Sequence, residues 1–195
     1  MSKAIITFVK NPIIGTVKTR LARTIGDERA LEIYLELCAY TKRVVQSVEA
    51  DVHVFYASEI IENDLWSDEL FQKKLQKGED LGARMSHAFT KLLSDYDKVV
   101  IVGSDCPQLT KEHIDSAFKS LQETDIVIGP TYDGGYYLLG MKHPHSFLFT
   151  DMKWSTDEVF STSMKRIFEQ EHTLTQLQML SDIDVEDDLK YMDWL

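Results

Sequence analysis

A buried-strand pattern that ends in a carboxylate is the clearest chemical signal in this sequence. Residues 99–107 read Val-Val-Ile-Val-Gly-Ser-Asp-Cys-Pro. Four consecutive apolar residues are typical of a strand buried on both faces of a sheet, and Pro107 cannot continue the strand ladder. Ligands of open α/β sheets bind outside the carboxyl ends of the strands, where Asp105 would lie. Asp105 is therefore predicted to be a metal ligand or a catalytic carboxylate. The alternative is a structural residue that accepts hydrogen bonds from the following turn.

The second signal is a cluster of positive charge near the start of the chain. The formal net charge is −11, yet residues 1–26 contain five Lys or Arg residues and no Asp or Glu. In the loop expected after the first strand, Gly15 would let the backbone approach a phosphate closely. Lys10, Lys18 and Arg20 would supply countercharge. The spacing matches neither a Walker A loop nor a Gly-x-Gly-x-x-Gly loop, and an ordinary solvated basic loop is the alternative.

A third motif, at residues 129–140, reads Gly-Pro-Thr-Tyr-Asp-Gly-Gly-Tyr-Tyr-Leu-Leu-Gly. Asp-Gly-Gly between two apolar runs indicates a tight turn or hairpin, which accounts for Gly134 and Gly135. The Gly-Pro start and the flanking tyrosines, Tyr136 among them, favour a loop shaped around a flat or polyhydroxylated ligand. Asp133 is a candidate to orient an acceptor hydroxyl or to act as its base.

A fourth motif is the acidic stretch Ser-Asp-Ile-Asp-Val-Glu-Asp-Asp-Leu at residues 181–189. Asp182 and Asp184 share a side if this stretch is extended, so both are candidate ligands of a cation. Equally, Asp184 caps a last short helix, whose acidic first turn the helix dipole favours. The sequence alone leaves these two interpretations level.

The elements that must position these motifs alternate between strand and helix patterns, which predicts an α/β fold with a mostly parallel sheet. The absence of a linker or repeat predicts a single domain over residues 1–195. The predicted strands are residues 3–9, 52–57, 99–103, 126–129 and 136–140. The predicted helices are residues 27–48, a segment within 79–93, a helix capped by Thr110, and residues 155–168. Ser155 and Glu158 have the spacing of a capping box, directly after Trp154.

Composition excludes several classes of protein. At 44% hydrophobic and 27% charged residues, the chain is typical of a globular protein, and no apolar run approaches the ~20 residues of a membrane span. The first apolar stretch is too short for a signal peptide, which predicts a cytoplasmic protein. A local basic segment predicts a small-anion site and no nucleic-acid binding. Cys106 has no histidine near it in sequence, which disfavours a catalytic thiol, and the run from His143 to His145 is interpreted as a surface turn.

Together the motifs resemble a bacterial family of short glycosyltransferase-like proteins. In order they read Phe-Val-Lys-x-Pro-x-x-Gly-x-x-Lys-Thr-Arg-Leu, then Gly-Ser-Asp-x-Pro, then Gly-Pro-x-x-Asp-Gly-Gly-Tyr-Tyr-Leu-Leu-Gly. The family was long filed as a domain of unknown function and is associated in name with radical-SAM, selenodomain and arsenosugar contexts. It belongs to the nucleotide-diphospho-sugar transferase superfamily. The resemblance implies a three-layer α/β/α domain with the glycosyltransferase-A fold.

The same resemblance implies a role for each motif. The first loop would bind the nucleotide and its phosphates through Lys10, Pro12, Gly15, Lys18, Thr19 and Arg20. Mg2+ or Mn2+ would be held beside the diphosphate by Asp105, assisted by Asp182 or Asp184. The acceptor side would include Gly134, Gly135, Tyr136, Trp154 and Ser155. Unlike many glycosyltransferases, which have Asp-x-Asp, this chain has a single carboxylate in Ser104-Asp105-Cys106.

The resulting hypothesis is a metal-dependent transferase that uses a nucleotide-activated donor and a small-molecule acceptor. A nucleotide-sugar glycosyltransferase is the first interpretation, and a nucleotidyltransferase that releases pyrophosphate is the second. In both reactions the metal and the basic loop would neutralise charge on a departing phosphate. A third interpretation, suggested by the sparse carboxylates, is a nucleotide-binding partner protein without catalysis.

Overall fold

One seven-stranded sheet runs through the molecule, and helices cover both of its faces. The computed structural model describes residues 1–192. The strands are β1 (Lys3–Val9), β2 (Asp51–Tyr56), β3 (Gln72–Leu75), β4 (Lys98–Val102), β5 (Ile126–Pro130), β6 (Tyr136–Met141) and β7 (Leu174–Gln176). The α-helices are α1 (Thr19–Ile25), α2 (Asp27–Gln46), α3 (Leu81–Leu92), α4 (Lys111–Ser120) and α5 (Val159–Glu169), and short 3-10 helices span Ser146–Leu148 and Glu186–Tyr191.

The strand order is β3-β2-β1-β4-β6-β5-β7. Strand β6 is antiparallel to β4 and β5, and the other neighbouring pairs are parallel. The prediction of a mostly parallel α/β sheet is therefore confirmed. Strands β1, β4 and β5 end at one edge, which we call the carboxyl edge, and β6 begins there. The segments that follow these strands must meet at this edge.

Strand β4 illustrates why the sheet is covered on both sides. Successive strand residues point to opposite faces, so an all-apolar strand needs an apolar layer on each side. Val100 packs in one cluster with Val45 of α2 and Phe118 of α4. Ile101 packs in another cluster with Phe89 of α3. The three-layer α/β/α arrangement is thus confirmed.

Local structure differs from the sequence pattern at β3, at β7 and at the start of α5. The edge strands β3, Gln-Lys-Lys-Leu, and β7, Leu-Thr-Gln, were not predicted because they are polar and short, as edge strands often are. The capping box predicted at Ser155 is wrong, since α5 begins at Val159 and Ser155 has a left-handed φ of 63°. Thr110 does cap α4, as predicted.

None of the helices described for residues 1–192 combines the length and the apolar character needed to cross a membrane.

The interpretation of the run from His143 to His145 as a surface turn is wrong for one histidine. His143 is exposed, whereas His145 is only 8% exposed. Its ring centroid lies 4.3 Å from that of His172 and 5.5 Å from that of Phe147. An imidazole packed among rings has little water to solvate a charge, so the neutral form is favoured.

We expect acid to destabilise the protein partly through His145. Burial, and then the nearby His172, lower the pKa of His145 from 6.5 to about 4, while Asp125 opposes the shift. Folding therefore favours the neutral ring. Its contribution to stability is complete above pH 6.5 and is lost as the pH falls through about 4.

This expectation can be checked by thermal denaturation across that pH range. His145→Phe keeps a ring but cannot titrate, so its melting temperature should fall less on acidification than that of the wild type. His87→Gln, at an exposed position on α3, is the control. Parallel pH curves for wild type and His145→Phe would contradict the assignment.

Candidate active site at the carboxyl edge

Three segments that are far apart in sequence meet at the carboxyl edge: the loop after β1, the residues after β4, and the chain after β7. The Ile183 amide donates to the Asp105 carbonyl oxygen at 3.0 Å. The Lys18 ammonium lies 3.1 Å from Asp105 Oδ2 and donates to the Ile183 carbonyl oxygen at 2.7 Å. The structure thus brings Lys18, Asp105 and the acidic segment 182–184 together.

Asp182 is the most electrostatically perturbed carboxylate of this group. Burial, followed by the negative charges of Asp105 and Asp133, raises its pKa to about 7, and Lys18 opposes this. The Ser181 amide, which donates to the Gln108 side-chain carbonyl at 2.8 Å, ties this segment to the chain after β4. Asp182 therefore lies in a partly desolvated position near the negative charges of Asp105 and Asp133.

Asp184 has a different partner from Asp182. Its Oδ2 accepts from Arg20 Nη1 at 2.5 Å, in a pair whose side chains are 37% and 54% exposed. The hypothesis that Asp184 caps the last helix is wrong, because Val185 precedes the 3-10 helix. Instead, Asp188 accepts from the amides of Asp184 and Val185, both at 2.9 Å.

The first loop is fixed by residues that the sequence pattern did not single out. The Tyr34 hydroxyl accepts from the Lys10 amide and donates to the Lys10 carbonyl, both at 2.8 Å. Asn11 is 5% exposed, and its side chain accepts from the Ser58 amide at 3.1 Å. In the sequence, Tyr34 is recognisable only as one of the apolar residues along a helix. Its hydrogen bond to Lys10, 24 residues away, has no signal in the local sequence.

The outer part of this loop is open to solvent. Lys10 and residues 12–16 are exposed, as are Thr19 and Arg20. Gly15 has a φ of 77°, a left-handed conformation that glycine adopts without steric cost. Of the six residues predicted to bind nucleotide and phosphate, only Lys18 has its side chain largely buried, at 7% exposure.

The turn between β5 and β6 confirms the predicted hairpin. Asp133 Oδ1 accepts from the Thr131 hydroxyl at 2.5 Å and from the Gly135 amide at 3.0 Å. The Gly134 carbonyl accepts from the Phe160 amide of α5 at 2.8 Å. Asp133 therefore has a structural role in the turn, while its charge also acts on Asp182.

Two aromatic residues predicted for the acceptor side pack against α3. The Tyr136 hydroxyl lies 3.9 Å from the Met85 sulfur, and burial raises the pKa of Tyr136. A Cβ placed on Gly82, in the first turn of α3, would lie only 2.6 Å from Trp154 Nε1. Both residues thus have packing partners, and their contact with an acceptor stays a prediction. Ser155 is exposed.

Gly134 and Gly135 offer a matched pair of substitutions. Gly134 has a φ of 89°, and a Cβ there would lie 2.1 Å from the Asp157 carbonyl oxygen. Strain and overlap together should lower the free energy of unfolding of Gly134→Ala by about 2–5 kcal/mol. Gly135→Ala, whose nearest contact would be 3.1 Å, should stay within about 1 kcal/mol of wild type. Urea denaturation measures both, and equal losses would contradict the packing role.

Two further chemistries can be assessed at this edge. Burial raises the pKa of the Cys106 thiol to about 12, so Cys106 is a poor nucleophile, as the sequence indicated.

Within residues 1–192, no three His, Cys, Asp or Glu side chains are placed to hold a metal ion together. Magnesium commonly takes only one or two carboxylates plus substrate phosphates, and Asp105 with Asp182 fits that smaller set.

Comparisons with known proteins agree with this architecture. A structure from Desulfovibrio desulfuricans G20, described as a candidate nucleotide-diphospho-sugar transferase, is 32% identical, with a TM-score of 0.88 over 95% of this chain and 84% of that chain. Rv0371c of Mycobacterium tuberculosis H37Rv, in complex with manganese, is 12% identical with a TM-score of 0.60 over 98% of each chain. The second likeness is one of fold alone.

A curated relative is similar in sequence. The 2-phospho-L-lactate guanylyltransferase of Methanocaldococcus sp. (strain FS406-22) is 27% identical over 132 residues, which are 66% of this chain and 55% of the relative. The chain thus spans about half the length of the curated relatives that it matches. Residues 40–156, more than half of the chain, match the family described as "Uncharacterized protein conserved in bacteria (DUF2064)". The chain therefore belongs to the DUF2064 family, within the nucleotidyl and sugar transferase superfamily that its motifs resemble.

Proposed function

We propose that this protein is a metal-dependent nucleotidyltransferase, which joins a nucleotide from a nucleoside triphosphate to a small acceptor and releases pyrophosphate. One observation carries the proposal: Lys18, Asp105 and Asp182 meet at the carboxyl edge, where open α/β sheets bind ligands. A cation and a carboxylate pair at one edge of the sheet suit a triphosphate that arrives with a divalent metal.

The first loop supplies the donor side of the site. Its exposed backbone around Gly15 can approach phosphates closely, and the Tyr34 hydroxyl holds the loop in place through Lys10. Lys10 adds an exposed positive charge. Pro12, Thr19 and Arg20 border the same surface as candidate contacts to the nucleotide.

Asp105 and Asp182 would hold the metal, Mg2+ or Mn2+. Burial raises the pKa of Asp182, and the negative charges of Asp105 and Asp133 raise it further against the opposing charge of Lys18. When bound, the metal would neutralise charge on the donor phosphates and on the departing pyrophosphate. Asp184, already paired with Arg20, is the less favoured ligand.

The acceptor side is assigned to the β5–β6 turn. Asp133 Oδ1 is occupied by the turn, and the same carboxylate is proposed to orient the acceptor hydroxyl through Oδ2. Gly135, Tyr136 and Trp154 would shape the adjoining wall. A structure with the acceptor bound would test whether the β5–β6 turn contacts it.

Two observations favour nucleotidyl transfer over sugar transfer. The carboxylates come from separate segments, Asp105 and Asp182, and not from one Asp-x-Asp motif. The curated relatives are guanylyltransferases, which makes GTP the first donor to test. Nucleotide-sugar glycosyl transfer is the second candidate, because the structure that shares 32% identity is described as a candidate nucleotide-diphospho-sugar transferase.

Product analysis separates these functions. The purified protein is incubated with Mg2+ or Mn2+ and each nucleoside triphosphate, with phosphorylated acids or sugar phosphates as acceptors. In parallel it is incubated with UDP-, GDP- and ADP-sugars and neutral acceptors. Pyrophosphate release with a nucleotide-linked product supports the proposal, and nucleoside diphosphate release supports sugar transfer. Nucleotide binding without either product supports the non-catalytic alternative.

A further inference from the structure

Lys18 occupies an unusual place for a residue expected to bind phosphate. Its side chain is 7% exposed, although residues 12–16 before it and Thr19 and Arg20 after it are exposed. Its backbone is left-handed, with φ 46° and ψ 42°, a conformation that is uncommon for a residue with a Cβ. Its ammonium contacts Asp105 Oδ2 at 3.1 Å and the Ile183 carbonyl oxygen at 2.7 Å.

The two groups that bind this ammonium, the Asp105 carboxylate and the Ile183 carbonyl oxygen, are also of the kind that ligate a hard divalent cation. Mg2+ and Mn2+ prefer carboxylate and carbonyl oxygens, and Asp105 is the proposed ligand. Two cations at van der Waals distance repel strongly in a half-buried site. Lys18 and a metal ion therefore compete for Asp105 as long as the ammonium stays where it is.

A nucleotide can remove this competition. Phosphate oxygens are strong acceptors for an ammonium group, and Lys18 ends the proposed phosphate-binding loop, directly before α1. The Lys18 side chain is flexible, so its ammonium can pass from Asp105 to a phosphate by rotation about its own bonds. The freed Asp105 oxygen is then open to the metal that accompanies the phosphates.

We propose that Lys18 is a built-in counter-ion that takes the place of the metal on Asp105 in the free protein, and that the donor phosphates draw it away. Metal and nucleotide then bind as one coupled event, and metal alone binds weakly. The inference rests on the proposed function, because it takes Asp105 as the metal ligand. Lys18 then determines that the metal binds tightly only together with the nucleotide.

The test is a Mn2+ titration of the nucleotide-free protein, in which electron paramagnetic resonance measures free Mn2+. Lys18→Met removes the competing charge and should bind Mn2+ at least about tenfold more tightly than the wild type. Arg23→Met, which removes one positive charge from the exposed face of α1, controls for the change in net charge and should leave Mn2+ affinity unchanged. Unchanged or weaker Mn2+ binding by Lys18→Met would overturn the inference.

The coupling itself gives a second readout. GTP should tighten Mn2+ binding by a larger factor in the wild type than in Lys18→Met, and linkage requires Mn2+ to tighten GTP binding by the same factor. Should Lys18→Met not fold, Lys18→Gln keeps a donor for the Ile183 carbonyl and tests the charge alone. If Mn2+ and GTP binding are equally coupled in the wild type and in Lys18→Met, Lys18 only holds Asp105 and Ile183 together.

Failure of this inference is distinguishable from failure of the proposed function. The Mn2+ titration needs neither nucleotide nor catalysis, so tighter binding by Lys18→Met supports the inference even if no product forms. Conversely, pyrophosphate release by the wild type combined with unchanged Mn2+ affinity in Lys18→Met supports the function and rejects the role of Lys18.

Discussion

Asp105→Asn should remove metal-dependent nucleotide binding and lower the rate of transfer by about 100-fold or more, since even outer partners of metal ligands contribute 10- to 100-fold. Asparagine keeps the shape of the side chain but cannot neutralise a divalent cation. The change also takes the charged partner from Lys18, and it relieves the repulsion between Asp105 and Asp182. Because these two effects oppose each other, we expect only a small change in melting temperature.

Calorimetry with GTP in the presence and absence of Mn2+, together with thermal denaturation, measures both parts of this prediction. Asp187→Asn changes an exposed residue of the acidic stretch at residues 181–189 and controls for the loss of one negative charge. A variant that melts far below wild type yet still binds nucleotide with Mn2+ would make Asp105 a structural turn residue. The proposed metal site would then be rejected.

Asp182→Asn should make the metal-free protein more stable while impairing its activity. The pKa of Asp182 is raised from 3.8 to about 7, so the folded protein holds a proton that the unfolded chain releases. The cost of ionising Asp182 therefore begins above pH 3.8, grows as the pH rises, and is complete above about 7. We expect the melting temperature of Asp182→Asn to exceed that of the wild type by a few degrees above pH 7, and by much less near pH 4.

Asp184→Asn is the matched control for this prediction. Asp184 lies two residues away and forms an ion pair with Arg20, so neutralising it should leave the melting temperature unchanged or slightly lower. Adding Mn2+ should stabilise the wild type more than Asp182→Asn, because a ligand stabilises only the protein that binds it. Equal pH profiles of the melting temperature for the wild type and Asp182→Asn would contradict the prediction, because ionising Asp182 would then cost no stability.

The features that the sequence by itself determined depend on residues that are neighbours in the chain. The apolar run before Asp105 must be a strand covered on both faces, and Asp-Gly-Gly after β5 must turn, because periodicity and backbone dihedral angles are local properties. Thr110 caps α4 for the same reason. The same local reasoning was wrong at Ser155, where the backbone is left-handed and α5 begins only at Val159.

The partners within the site were decided only by the tertiary structure. Lys18 and Asp105 are 87 residues apart, and no pattern within either segment states that they form an ion pair. The sequence assigned basic residues to phosphate and acidic residues to metal, whereas the fold pairs Lys18 with Asp105 and Arg20 with Asp184. Burial likewise distinguishes Asp182 from Asp184, which the sequence leaves equivalent. Long-range contacts and the loss of water arise only once the sheet has brought the ends of its strands together.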